Sequence, residues 1–252
     1  MNSSFNQLFL MNLRLVYRNR TGLFFTLIMP TIIFVALSVL PIGGKFGGPS
    51  GGDFNYSQFV LPGIIAMTVM QGGIYGLAYW MIDLKARGVI KRFLVTPLKQ
   101  SELIISVLAS RILVAICQAI FLTLIGVIFF HVTVAVNALL ALLFVVLGAG
   151  IFLVIGLLIS MFADTYEAAA PITTAVGLPL TFLGNIFFPV EGLPKVLRYV
   201  GEILPITYLA DGIRSLFLGA NIPPVVWKDL GILAAWFVAI LALALWKFRL
   251  KE

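Results

Sequence analysis

Six long apolar runs dominate this 252-residue chain, at roughly 22–41, 59–82, 104–130, 138–162, 168–188 and 229–246. Each is long enough to cross a hydrocarbon core about 30 Å thick as an α-helix rising about 1.5 Å per residue. A helix satisfies its own backbone hydrogen bonds, which lipid cannot do for it. A transmembrane barrel would instead be written in short alternating segments of about 10 residues. The chain is 61% hydrophobic and 11% charged, against about 25% charged residues in an average soluble domain. It has too little polar surface to cover a soluble globule, and too many hydrophobes for a disordered chain. The expected fold class is an all-α membrane protein, with six transmembrane helices in a single domain over residues 1–252.

The charges orient it. With the N-terminus in the cytoplasm, the inner segments hold Arg14, Arg18, Arg20, Lys85, Arg87, Lys91, Arg92, Lys99, Lys247, Arg249 and Lys251. The outer segments hold only Lys45, Lys195, Arg198, Arg214 and Lys228. The positive-inside rule then places both termini in the cytoplasm. A net charge of +7 follows from that asymmetry and from the anionic inner leaflet, so no nucleic-acid partner is needed to explain it.

Residues 2–20 lack the order of a secretory signal, in which basic residues precede the apolar run. They read as an amphipathic helix (1–21 with its flanks) lying along the inner surface. Phe5, Leu8, Phe9, Leu13, Val16 and Tyr17 share one face, and Gln7, Arg14 and Arg18 the opposite stripe. That polar stripe is either a surface anchor or a contact for a cytoplasmic partner.

The centres of the spans carry no Asp, Glu, Lys, Arg or His, which disfavours a proton-driven carrier. Arg111, near the inner end of the third span, is expected to snorkel to the headgroups, with a gating role as the lesser alternative. Candidate path-lining residues are Gln71, Thr173, Thr174, Thr181 and Asn185. Hydrogen bonding between helices is the commoner use of such side chains, and it applies equally to Gln118 and Thr123. Gly72 and Gly76 form a GxxxG, whose ordinary meaning is close helix packing. Pro30, Pro171 and Pro179 should loosen their spans. The fifth span, with two prolines and several threonines, is the best candidate for a moving, path-lining helix.

One cysteine and one histidine exclude a disulfide framework and a cysteine- or histidine-built metal site. The glycine-rich loop after the first span has Gly44-Lys45 followed by Phe46, so it lacks the Ser or Thr of a phosphate-binding P-loop. Any ATP, with its Mg, would have to be bound by another polypeptide.

The cytoplasmic segment 83–103, DLKARGVIKRFLVTPLKQSEL, combines basic residues with Val89, Ile90, Phe93, Leu94 and Val95. A solvated basic loop needs no apolar residues at helical spacing, whereas a short helix docking into a groove of a soluble partner does. The outer segment 189–228 is divided by Pro194, Pro205, Pro223 and Pro224. Its parts Lys195–Ile203 and Thr207–Leu218 read as two short re-entrant helices, with Glu191, Glu202, Asp211 and Arg214 satisfied by one another or by helix ends.

The whole layout resembles the type-2 permease family of ATP-binding-cassette exporters. The resemblance is strongest in RGVIKRFLVTPLKQSEL (Arg87–Leu103) and in FFPVEGLPKVLRYVGEILPITYLADGIRSLF (Phe187–Phe217), with its Pro205, Thr207, Tyr208 and Arg214. The sequence departs from the family where Lys91 and Arg92 replace a common acidic residue, and at Ser106-Val107 in place of Gly-Lys. The resemblance implies a permease without an ATPase site of its own, in the cytoplasmic membrane. It implies a second permease copy, as a homodimer or a heterodimer, and two cytoplasmic ATPase subunits carrying ATP and Mg. Arg87, Gly88, Val89, Ile90, Arg92, Phe93 and Leu94 would form the coupling helix, braced by the N-terminal helix with Arg14 and Arg18. A path without buried charge suits a hydrophobic or amphipathic cargo such as a drug, antibiotic or lipid-like molecule. Sugar-polymer export is the nearest alternative, and an ion-coupled carrier or a membrane-embedded enzyme are alternatives of other classes.

Overall fold

The computed structural model describes residues 2–40, 46–47, 53–89, 100–134, 137–218 and 222–249. Among them the architecture is helical: α1 (Asn2–Arg18), α2 (Arg20–Val39), α3 (Tyr56–Ala86), α4 (Gln100–Phe130), α5 (Ala138–Phe162), α6 (Tyr166–Leu183), α7 (Lys195–Ile203), α8 (Pro205–Leu218) and α9 (Pro224–Arg249). A two-residue antiparallel ladder, Phe46–Gly47 with Asp53–Phe54, closes the loop between α2 and α3.

Five helices are long and apolar enough to cross a membrane: Arg20–Val39, Tyr56–Ala86, Glu102–Phe130, Leu139–Phe162 and Pro224–Lys247. The expected fifth run, 168–188, contains α6, which has 18 residues and stops at Leu183. Beyond it Asn185 adopts a left-handed conformation, φ 55°, which Asn tolerates and which ends a helix.

α3 is the central helix. An Asn55–Gln58 capping box starts it, and Val60, Leu61, Ile64, Met70 and Ile74 are fully buried along it. Its tightest neighbour is α5. A Cβ on Gly73 would collide with Phe152 and the Leu153 backbone, and one on Gly156 with the Gly73 and Ile74 carbonyls. The close packing expected of the Gly72/Gly76 pair is thus made by Gly73 and Gly156. Gly72 faces open space. α2, α4 and α9 instead expose large apolar side chains, such as Phe25, Ile32, Ile128, Phe129, Val238 and Leu245. That is the pattern of helices facing lipid or another membrane chain.

α1 is the expected amphipathic helix, ending one residue before the first span. Leu8 is buried, and Phe5, Phe9, Leu13 and Val16 are half-buried, while Tyr17 is exposed rather than on the packed face. Asn12 lies within that face. Its amide donates to the Leu8 carbonyl at 2.9 Å and to Ser106 Oγ of α4 at 3.4 Å. Asn19 separates α1 from α2 and caps the latter through the Gly22 N–H. Within α2 a π turn spans Phe24–Ile28, immediately before Pro30. Proline has no N–H to offer the Thr26 carbonyl one turn back. Gln118 of α4 fills that role, donating from Nε2 at 2.7 Å.

Candidate functional site

A polar cavity of about 590 Å³ lies between α2, α3, α4 and α5. It runs from Asp83 and Arg87 at one end of α3 to Thr68 and Pro30 midway along the bundle. One stripe of α3 forms its floor: Gln71, Gly72, Tyr75, Gly76, Tyr79 and Asp83 recur at three- and four-residue steps, which places them on one helical face. Gln71 is exposed into this space. The stripe continues as an aromatic ladder. Tyr75 and Tyr79 have centroids 6.3 Å apart, and Tyr79 and Tyr166 5.7 Å apart. Arg111 departs from the expectation of snorkelling: it lines the cavity, and its guanidinium covers Gly76, where an added Cβ would lie 3.2 Å from Nη1.

The other candidate lining residues sit apart. Thr173 is buried beside the ladder, 3.1 Å from the Tyr79 hydroxyl, and bonds the Ala169 and Ala170 carbonyls. Thr174 is exposed. Thr181 donates to the Gly177 carbonyl of its own helix at 2.8 Å. Asn185 is buried at the far end of the bundle, within the cluster described below.

The end of the bundle nearest Arg87 is basic and shared by several helices. Lys85 Nζ bonds Asp164 Oδ1 at 2.9 Å and reaches the Ser160 carbonyl at the end of α5. Lys247 of α9 lies 4.0 Å over the Phe162 ring. Arg87 pairs with Asp83 at 2.9 Å, one turn back, and is largely exposed. Gly88 then turns the chain at φ 65°, a conformation that glycine adopts without strain. Val89 is half-buried, and Ile90, Arg92, Phe93 and Leu94 lie outside the described residues. Arg14 and Arg18 are both exposed on α1.

The opposite end is organised by Arg214, 1% exposed. Its Nε and Nη2 each donate to the Phe59 carbonyl at 3.2 Å, Nη2 donates to the Asn185 carbonyl at 2.8 Å, and Nη1 pairs with Asp211. The guanidinium also stacks 3.8 Å over the Phe59 ring. Asn185 completes the knot, donating from Nδ2 to Asp211 at 2.6 Å and accepting the Val190 N–H at 3.2 Å. The Pro205-x-Thr207-Tyr208 stretch has a plain structural task. Thr207 Oγ1 donates to the Gly201 carbonyl at 2.6 Å and the Tyr208 hydroxyl to that of Glu202, satisfying carbonyls left open at the end of α7. A Cβ on Gly212 would overlap the Phe144 ring, so this glycine lets α8 settle on α5.

Burial pushes the Asp211 carboxyl up to about 6 from 3.8. Arg214 opposes the rise, Glu191 adds to it, and the Asn185 hydrogen bond opposes it. The folded state therefore holds this proton more tightly than the unfolded chain. Its contribution to stability is complete below the unfolded value and is lost as pH rises through about 6. The melting temperature of the purified chain should fall as pH rises from ~4 to ~6.5. Asp211→Asn should flatten that slope in a thermal-unfolding series.

Tyr75, Tyr79 and Tyr166 were absent from the expected lining residues, as were Gly72 and Gly76. For the four on α3, spacing on one helical face was the available signal, masked by reading the glycines as a packing motif; Tyr166 joins them from α6.

Helices of this length and hydrophobicity, around a cleft with a basic rim, define a multi-pass membrane protein. Residues 3–218 match the model of the ABC-2 type transporter family. The chain is 31% identical over 214 residues to the inner membrane transport permease YadH of Escherichia coli (strain K12), covering 84% of this chain and 83% of that one. Two further relatives from the same strain are the probable multidrug ABC transporter permeases YbhR and YbhS. Both are 27% identical, over 179 and 191 residues, or 71% and 74% of this chain and 48% and 50% of theirs. The chain belongs to the ABC-2 type transporter family.

Proposed function

We propose that this chain is the transmembrane subunit of an exporter in the inner membrane. In this reading it moves a hydrophobic or amphipathic cargo outward, using ATP hydrolysed with Mg on two separate ATPase subunits. The observation that carries the reading is the family match over residues 3–218, and the cleft opening toward the basic end of the bundle supports it. The inner-membrane setting follows the permease YadH, and a drug-like cargo follows the names of YbhR and YbhS.

In this account the basic end is cytoplasmic, because Lys85, Arg87 and Lys247 gather there. Both termini are then inside, and α6 is the fifth of six spans. The helices α7 and α8 form a re-entrant hairpin. Two contacts support its depth: Trp236 Nε1 donates to the Ile203 carbonyl at 3.2 Å, and Leu209 packs where Gly148 lacks a side chain. Trp236 lies about 18 Å along α9 from Pro224 at about 1.5 Å per residue, so the hairpin tip reaches well below the outer end of the bundle. Thr207 and Tyr208 satisfy the Gly201 and Glu202 carbonyls there, the condition for irregular chain at membrane depth.

The exposed apolar faces of α2 and α6 suit a second copy, giving a homodimer. Arg87–Val95 is the coupling helix, braced by α1 with Arg14 and Arg18 on its polar stripe. ATP binding favours one arrangement of the dimer over the other, and transport is that population shift. The path is lined by Gln71, Tyr75 and Tyr79 of α3, with Thr174 and Thr181 of α6 as its second wall; Thr173 and Asn185 are buried behind it. Co-expression with an adjacent ATPase gene should yield a complex of two permease and two ATPase copies by native mass spectrometry. Permease that purifies without any ATPase, under conditions where that ATPase is folded, would contradict the proposal.

A further inference from the structure

The cavity beside α3 holds the guanidinium of Arg111, with which no carboxylate among the described residues pairs. Arg111 lies within the apolar run Glu102–Phe130, about 14 Å of helix in from Glu102. Among the described residues its guanidinium makes no hydrogen bond or ion pair. Asp83, the carboxylate lining the same cavity, is already engaged by Arg87 at 2.9 Å. An arginine inside a membrane is costly, and it is retained where it faces a cavity with a task. Around Arg111 the space is open over Gly72. Gln71 and Tyr75 supply polar groups, and Phe25, Val69 and Val114 supply apolar wall. At about 590 Å³ the cavity falls within the ~300–1,000 Å³ of sites that enclose small ligands.

We propose that this cavity binds the anionic head, phosphate or carboxylate, of an amphiphile, with Arg111 as its counter-charge. The guanidinium fork matches two oxygens of such a head. Gln71 and Tyr75 donate further hydrogen bonds, and the tail lies along the Phe25–Val114 wall. The inference rests on the exporter reading only for the step from bound amphiphile to cargo. The binding site itself stands on the cavity and the unpaired arginine. The head chemistry has two sources, an anionic lipid of the inner leaflet or a separate anionic amphiphile.

The test uses the full chain in phosphatidylcholine nanodiscs and brominated dodecyl phosphate as probe, read by quenching of Trp80, which lines the cavity. Trp80→Phe identifies the quenching that belongs to this site. The probe should bind at least about tenfold more tightly than brominated dodecylphosphocholine. Arg111→Gln should erase that preference, and Arg111→Lys should keep part of it. Displacement by phosphatidylglycerol placed in the discs assigns the site to membrane lipid, and retention of the probe assigns it to a separate amphiphile. Equal binding of the two probes, or an unchanged preference in a monodisperse Arg111→Gln variant, overturns the proposal. Failure here with ATP-driven export intact removes this site alone. Failure of ATPase association with the anion preference intact removes the exporter reading alone.

Discussion

Replacing Arg214 with methionine is expected to cost the protein most of its stability. Among the described residues Arg214 is the largest fully buried side chain. It ties α8 to the start of α3 through Phe59 and to the α6 terminus through Asn185. Removal leaves Asp211 buried without its partner, at a cost of about 3–5 kcal/mol, and strands backbone carbonyls as well. The Arg214→Met chain should extract as aggregate, or melt far below the native chain, in fluorescence-detected size-exclusion chromatography. Arg214→Lys keeps the charge but loses the planar fork that reaches Phe59 and Asn185 together, so it should recover little. The double variant Asp211→Leu/Arg214→Met should recover more than either single one, because it leaves no lone buried charge. A native melting temperature for Arg214→Met would show that the cluster does not hold the hairpin.

The second large effect is on coupling rather than folding. Phe93→Asp should leave the chain inserted and monodisperse and abolish ATP-driven transport. Phe93 stands among basic residues in the segment that leaves α3 after the Gly88 turn and returns at Gln100. Seating a carboxylate in an apolar groove without a partner costs at least about 3 kcal/mol, or over a hundredfold in affinity. ATPase association should fall by that order in a pull-down, with transport falling alongside. Phe93→Leu, which keeps the apolar contact, should retain both. Normal association and transport by the Phe93→Asp protein would remove this segment from the coupling role.

How far these features could be read from the chain depended on whether their cause was local. Five of the six runs were legible as long apolar helices because hydropathy and length are local properties. α1 was legible for the same reason, since Phe5, Leu8, Phe9, Leu13 and Val16 repeat at helical spacing. The end of α6 was hidden. Apolar residues continue past Leu183 through Ile186–Phe188, and what stops the helix is Asn185 turning left-handed to meet Asp211 and Val190. The contacts of Arg111 were hidden for a similar reason. A cation near a span end usually snorkels, and only the tertiary arrangement turns it onto Gly76. Gln118 was foreseen as an interhelical hydrogen bonder, but its partner, the carbonyl one turn before Pro30, emerges only from the packing of α4 on α2.

The central claim is that this chain provides the route and a separate nucleotide hydrolase provides the work. The most direct test reconstitutes purified permease into liposomes, with and without its ATPase partner, and follows outward movement of a fluorescent amphiphile. The account predicts accumulation against a gradient only when ATPase, ATP and Mg are all present, and none with the permease alone under any ion gradient. Uphill transport by the permease alone, in the absence of nucleotide, would contradict it.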